Sequence, residues 1–125
     1  MRLSNQNLTK SLETEIRQAL LQMIADVRTS EEANILISDL LTETEQLAVA
    51  KRLAIALLLT KGKSYKEIKQ NLKVSSATVA KVQESLSQKG IKLALDKIKA
   101  DEWAGNWAAK ISQTVNKLLG QTSKA

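Results

Sequence analysis

The side chains that could do chemistry in this chain are hydroxyls and lysines, and they gather in one stretch. Residues 61–81 read KGKSYKEIKQNLKVSSATVAK. Ser64, Tyr65, Ser75, Ser76 and Thr78 supply O–H groups, and Lys61, Lys63, Lys66, Lys69, Lys73 and Lys81 supply cations. No imidazole or thiol accompanies them, because the chain has no His and no Cys. That removes the usual general base, every His-containing triad, thiolate metal sites and disulfides. No catalytic constellation can be named, so neither an enzyme nor a metal site is expected. Lysines and short hydroxyl side chains together are suited to binding. Cations neutralise phosphates and release their counterions, while hydroxyls reach base edges or ordered water.

The elements that position these residues follow from capping signals. Ser64 and Glu67 have the spacing of a capping box and start a helix at about 64–72, with Ile68 and Leu72 inward. Ser75 caps a second helix at about 76–88, which buries Val79, Val82 and Leu86. The joint between them is three or four residues long, the length of a helix-turn-helix. On the second helix, Ser76, Ala77, Thr78, Ala80 and Lys81 are small or polar and crowd the first turns, as a helix entering a major groove requires. Tyr65, Lys66 and Lys69 lie where the first helix would cross a DNA backbone, and Lys61, Lys63 and Lys73 flank it. The pattern E-I/L-x-x-x-L-x-V-S-x-x-T-V is widespread among helix-turn-helix modules, and EIKQNLKVSSATV fits it. Two positions depart from it: Lys69 replaces a small residue, and Lys73 replaces the turn glycine. A non-Gly residue with positive φ there costs about 1 kcal/mol.

The rest of the chain reads as helix. The 125 residues contain no Pro and four Gly, and the only aromatics are Tyr65, Trp103 and Trp107. An all-α protein with an aliphatic core is expected, as one helical domain over residues 1–125. Its parts are a helical dimerisation core at 1–62, the helix-turn-helix at 63–88 and C-terminal helices at 89–125. Residues 8–28 carry an apolar stripe from Leu8 and Leu12 to Ile24 and Val27. A helix at about 31–40 follows, capped by Ser30. Thr42 and Glu45 form a further capping box before a helix at about 43–61 that is apolar nearly all round in its second half. One small subunit has few layers with which to bury such a helix, so a homodimer is expected to supply cover; the alternative is the central helix of a monomer. Gly62 stops that helix in a left-handed conformation. Gly90 marks another break, before a short helix at 91–99. Asp101 caps a last helix with a stripe of Trp103, Trp107, Ile111, Val115 and Leu118, read as a packing face rather than a membrane-surface one.

Charge is uneven along the chain. Residues 1–60 hold 6 basic and 8 acidic side chains (net −2), and residues 61–125 hold 13 and 5 (net +8). The second half therefore suits an anionic partner. There is no signal peptide and no apolar run long enough to span a bilayer, so a cytoplasmic protein without a membrane role is expected. Every basic residue after Arg52 is Lys. Bidentate readout of guanine is mostly Arg work, so specificity is expected to rest partly on water and DNA shape.

From Leu41 the order LLTETEQLAVAKRLAIALLLTKGKSYKEIKQNLKVSSATVAKVQESL resembles the Trp repressor family, especially its Trp-repressor-like branch, over about residues 31–90. The features that carry it are Leu41, Thr42 and Glu45, the arginine of AKRLAI, the helix ending at Gly62, and the helix-turn-helix. The resemblance implies an intertwined helical homodimer that binds double-stranded operator DNA as a repressor, with residues 76–88 as recognition helix. The expected DNA-binding set is Lys63, Tyr65, Lys66, Lys69, Ser75, Ser76, Ala77, Thr78, Ala80 and Lys81. By the same resemblance, an L-tryptophan corepressor would meet Thr42, Arg52 and Lys81. Lys81 stands where the family has a second arginine and Val82 where it has a glycine. Lysine has no guanidinium plane to stack on an indole, and Val82 would crowd the pocket, so the expectation is no cofactor. The alternatives are a helical protein-interaction module, or a non-specific DNA binder without tryptophan sensing.

Overall fold

The computed structural model describes residues 6–100. Six helices follow one another there: α1 (Lys10–Asp26), α2 (Ser30–Leu40), α3 (Glu43–Thr60), α4 (Tyr65–Leu72), α5 (Ser76–Ser85) and α6 (Lys89–Ala100), with no strand among the described residues. The expected helix from Asp101, with Trp103 and Trp107, lies outside the described residues. The chain divides into two compact units, one ending at Glu43 and the other beginning at Thr44. Helix α3 thus belongs with the helix-turn-helix.

The N-terminal unit holds α1 and α2. Thr9 caps α1 by accepting the Leu12 amide on its hydroxyl at 3.2 Å, and the helix stops where Val27 turns extended (φ −67°, ψ 127°). It is therefore shorter at both ends than the apolar stripe. Thr29, not Ser30, caps α2. Its hydroxyl takes the Glu32 amide at 3.1 Å, and Ser30 is already helical. Both residues are good caps by type; Thr29 alone has the extended backbone (φ −131°, ψ 157°) that puts the hydroxyl over the first turn. No residue of either helix is buried. Leu12, Ile16, Leu20 and Ile24 stay between 44% and 57% exposed.

The second unit has a proper core. Ala54, Ile55, Ala56, Leu57 and Leu58 of α3 are all buried, so the second half of that helix is covered on every side. The cover comes from within the chain: Ile68 of α4, Val79 and Val82 of α5 and Leu95 of α6 close around Ile55–Leu58, with Leu72, Val74, Leu86, Ile91 and Ile98 at the margin. The expectation that this stretch needs a second subunit is corrected. Three short helices wrapped around one central helix supply enough layers. The uncovered part of α3 is its first half, where Leu47 and Val49 are 56% and 53% exposed. Each fully buried Leu, Ile or Val contributes about 1.5–3 kcal/mol, so the core fixes α4 and α5 on α3.

Two helix ends differ from the sequence reading. Helix α5 ends at Ser85, before the expected 88. The Ser85 hydroxyl donates to the Val82 carbonyl (2.7 Å), and the Leu86 and Gln88 amides bond back three residues, to Gln83 and Ser85. These tight bonds draw the chain off the α-helical ladder. The break then falls at 86–88, and Gly90 sits inside the first turn of α6 without a positive φ.

Candidate nucleic-acid interface

The candidate interface is built on two stops and two starts. Helix α3 ends in a Schellman arrangement: the Lys63 amide reaches the Leu58 carbonyl and the Gly62 amide reaches Leu59, both at 3.1 Å, with Gly62 at φ 81°. This turn delivers Lys63 and Ser64 to the start of α4. Ser64 accepts the Glu67 amide at 3.2 Å, which is one half of the expected box. Helix α4 ends at Leu72 and is capped by Lys73, held in the left-handed region at φ 55° and ψ 54°. Its amide and that of Val74 (3.4 Å) both turn onto the Lys69 carbonyl. The lysine in the glycine position therefore adopts the glycine conformation and bears its strain. Ser75 then accepts the Thr78 amide at 3.1 Å and starts α5.

Buried Ile68 of α4 and buried Val79 and Val82 of α5 lock the pair into the core. Helical spacing sets what faces away. Ala77, Lys81 and Glu84 stand at i, i+4 and i+7 on the side of α5 opposite Val79 and Val82, and all three are exposed. Ser75, Ser76 and Thr78 are exposed at the start of the helix, and Ala80 is half-buried beside them. On α4, Tyr65 and Lys66 are exposed and Lys69 half-buried, as is Lys63 just before the helix. All ten residues of the expected DNA-binding set thus lie on or at the start of the two helices, none of them buried.

Two residues escape the sequence reading. Gln83 accepts a hydrogen bond from the Tyr65 hydroxyl at 2.8 Å, tying α5 to the first residue of α4. Its signal in the sequence is only the step of seven from Ser76. Glu84 puts an acidic group on the outward face of α5, readable from its steps of three and seven from Lys81 and Ala77.

Beside α5 lies an open groove of about 980 Å³ between α3, α5 and α6. Its cations are Lys51, Arg52 and Lys81, and Ile55, Val82 and Ile91 are among its apolar lining. Arg52 and Lys81 of the expected ligand set therefore share one groove, whereas Thr42, also exposed, belongs to the N-terminal unit. Val82 is 5% exposed and is part of the core. No helix among the described residues is long and apolar enough to cross a membrane.

Fold and site together define a helical protein of the helix-turn-helix class. A family described as Trp repressor protein matches residues 15–98, well over half of the chain. The chain belongs to this family, which is one of regulators rather than enzymes. The match reaches further on both sides than the residues that carry the sequence resemblance. The chain matches no curated protein and no solved structure.

Proposed function

We propose that the protein is a homodimeric, sequence-specific DNA-binding regulator, acting as a repressor, that lays α5 in the major groove while α4 crosses the backbone. The observation that carries this is the outward face of α5. Its first turns carry Ser76, Ala77 and Thr78, all small and exposed, with half-buried Ala80 beside them and Lys66 and Lys69 on the neighbouring helix to meet phosphates. A hairpin that only served packing would gain nothing from small residues facing solvent beside a cluster of cations.

Homodimerisation is supported by the N-terminal unit. A 17-residue helix with no buried residue leaves its apolar face largely uncovered, and most helical stability in proteins comes from packing of that face. A second copy would cover Leu12, Ile16, Leu20 and Ile24. The single domain with a dimerisation core at 1–62, a helix-turn-helix at 63–88 and C-terminal helices at 89–125 is part of the same proposal.

Binding is proposed to be independent of L-tryptophan. Of the groove's cations Lys51, Arg52 and Lys81, only Arg52 offers a guanidinium plane, and Val82 places a branched side chain at its wall. A cytoplasmic location and absence of membrane binding complete the reading.

The test is selection of duplexes from a random library, followed by anisotropy titrations at two salt concentrations with and without L-tryptophan. A selected site with two-fold symmetry and half-sites about 34 Å apart is expected, with the same affinity in both tryptophan conditions. Equal, steeply salt-dependent binding to every duplex would leave a non-specific binder. No binding at low salt would favour a protein-interaction module.

A further inference from the structure

The one hydrogen bond that joins the side chains of α4 and α5 has a direction with consequences for binding. Tyr65 Oη donates to Gln83 Oε1 at 2.8 Å, across 18 residues of sequence. A phenol carries one proton. Once given to Gln83, that proton is not available to a phosphate oxygen, which only accepts. An amide has an acceptor end and a donor end. With Oε1 held by the phenol, the two N–H donors of Nε2 are left for another acceptor on an exposed residue. Gln83 stands three residues after Ala80 and seven after Ser76, so it shares their strip of the helix. Free glutamine side chains lose much rotamer freedom when they bind. Anchoring on a stiff aromatic ring removes part of that loss before a ligand arrives.

We propose, resting on the DNA-binding reading above, that Gln83 is a DNA-contacting residue whose amide donates to a backbone phosphate oxygen, and that Tyr65 is the positioning residue that aims it. Tyr65 then acts through Gln83 rather than by touching DNA.

The test uses the full chain and the selected duplex, with Tyr65→Phe, Gln83→Met and the double variant titrated side by side, each checked by thermal melting. Gln83→Met is expected to weaken binding roughly three- to tenfold, the scale of one neutral hydrogen bond. The loss should be equal on all sequences and leave the salt slope unchanged, because no charge is removed. Tyr65→Phe should lose less, and the double variant should bind like Gln83→Met alone. Tyr65 is the only tyrosine, so the Raman doublet of its phenol reports the bond directly and should lose its donor signature in Gln83→Met. Losses that multiply in the double variant would mean that Tyr65 contacts DNA independently, overturning the proposal. So would wild-type affinity in Gln83→Met, or a wild-type phenol that does not donate. Failure of the wild-type protein to bind any duplex overturns the DNA reading itself and this proposal with it. Wild-type binding with an indifferent Gln83→Met overturns this proposal alone.

Discussion

Ser75 Oγ lies 2.9 Å from Thr78 Oγ1 and accepts the Thr78 amide at 3.1 Å. The hydroxyl that starts α5 is thus committed to the helix, though it is exposed on the proposed DNA face. Its two roles can be separated. Ser75→Ala removes the cap and is expected to cost about 1 kcal/mol of stability, read as a fall of a few degrees in melting temperature. Ser75→Asp keeps a good cap and a favourable charge at the helix start but sets a carboxylate against phosphate. It should melt near wild type yet bind DNA much more weakly. Equal DNA affinity for Ser75→Asp and wild type would take Ser75 off the interface.

Lys73 offers a gain instead of a loss. It holds φ 55° in the turn between α4 and α5, a region where a Cβ meets the neighbouring carbonyl. Lys73→Gly should raise stability by about 0.5–1 kcal/mol, since relief of strain outweighs the added freedom of the unfolded chain. Denaturant unfolding at fixed slope is the measurement. Gly62, at φ 81°, supplies the converse. A Cβ there would meet nothing within 4 Å, so Gly62→Ala should cost about 1 kcal/mol from backbone strain alone.

These turns show how far local chemistry can be read. Ser64, Ser75 and Gly62 announce their roles by residue type, because a cap hydroxyl and a positive φ are satisfied within four residues. The αL conformation of Lys73 is legible only through the departure from a known pattern. Thr29 reads as a bystander because type does not say which of two adjacent hydroxyls will have the extended backbone. The end of α5 at Ser85 depends on which carbonyl a serine chooses, and the Gln83–Tyr65 bond spans two elements, so neither has a local signature. Periodicity marks Leu53 to Leu59 as needing cover, but not whose. The layers around Ile55–Leu58 come from three later helices, information that lies in tertiary packing.

Charge reversal tests the docking proposal. Lys66 is exposed and Lys69 half-buried on α4, outside the core around Ile68. Lys66→Glu with Lys69→Glu should leave the helical signal and melting temperature close to wild type while abolishing retardation of a duplex. Replacing both by Gln should weaken binding less and reduce the slope of log affinity on log salt by about 2, near 0.9 for each phosphate no longer neutralised. An unchanged slope would move α4 off the backbone.

The apolar stripe of α1 carries the dimer proposal, and its exposure makes the test clean. Leu20 is 49% exposed and Ile24 57% exposed in the single chain, so a charge at either place disturbs no core. In a monomer, Leu20→Asp should change little, because substitutions away from the core are usually within about 0.5 kcal/mol. In a dimer the same carboxylate would be buried without a partner, at a cost of several kcal/mol. Sedimentation at micromolar concentration should therefore give a dimer for wild type and a monomer for Leu20→Asp. The variant should also lose helical signal, since the apolar face of α1 would stay uncovered. If each subunit lays one α5 on DNA, as proposed, DNA affinity should fall with the dimer, and the symmetric site should be bound no better than a single half-site. A wild-type protein that sediments as a monomer with α1 intact would show that the stripe has another cover.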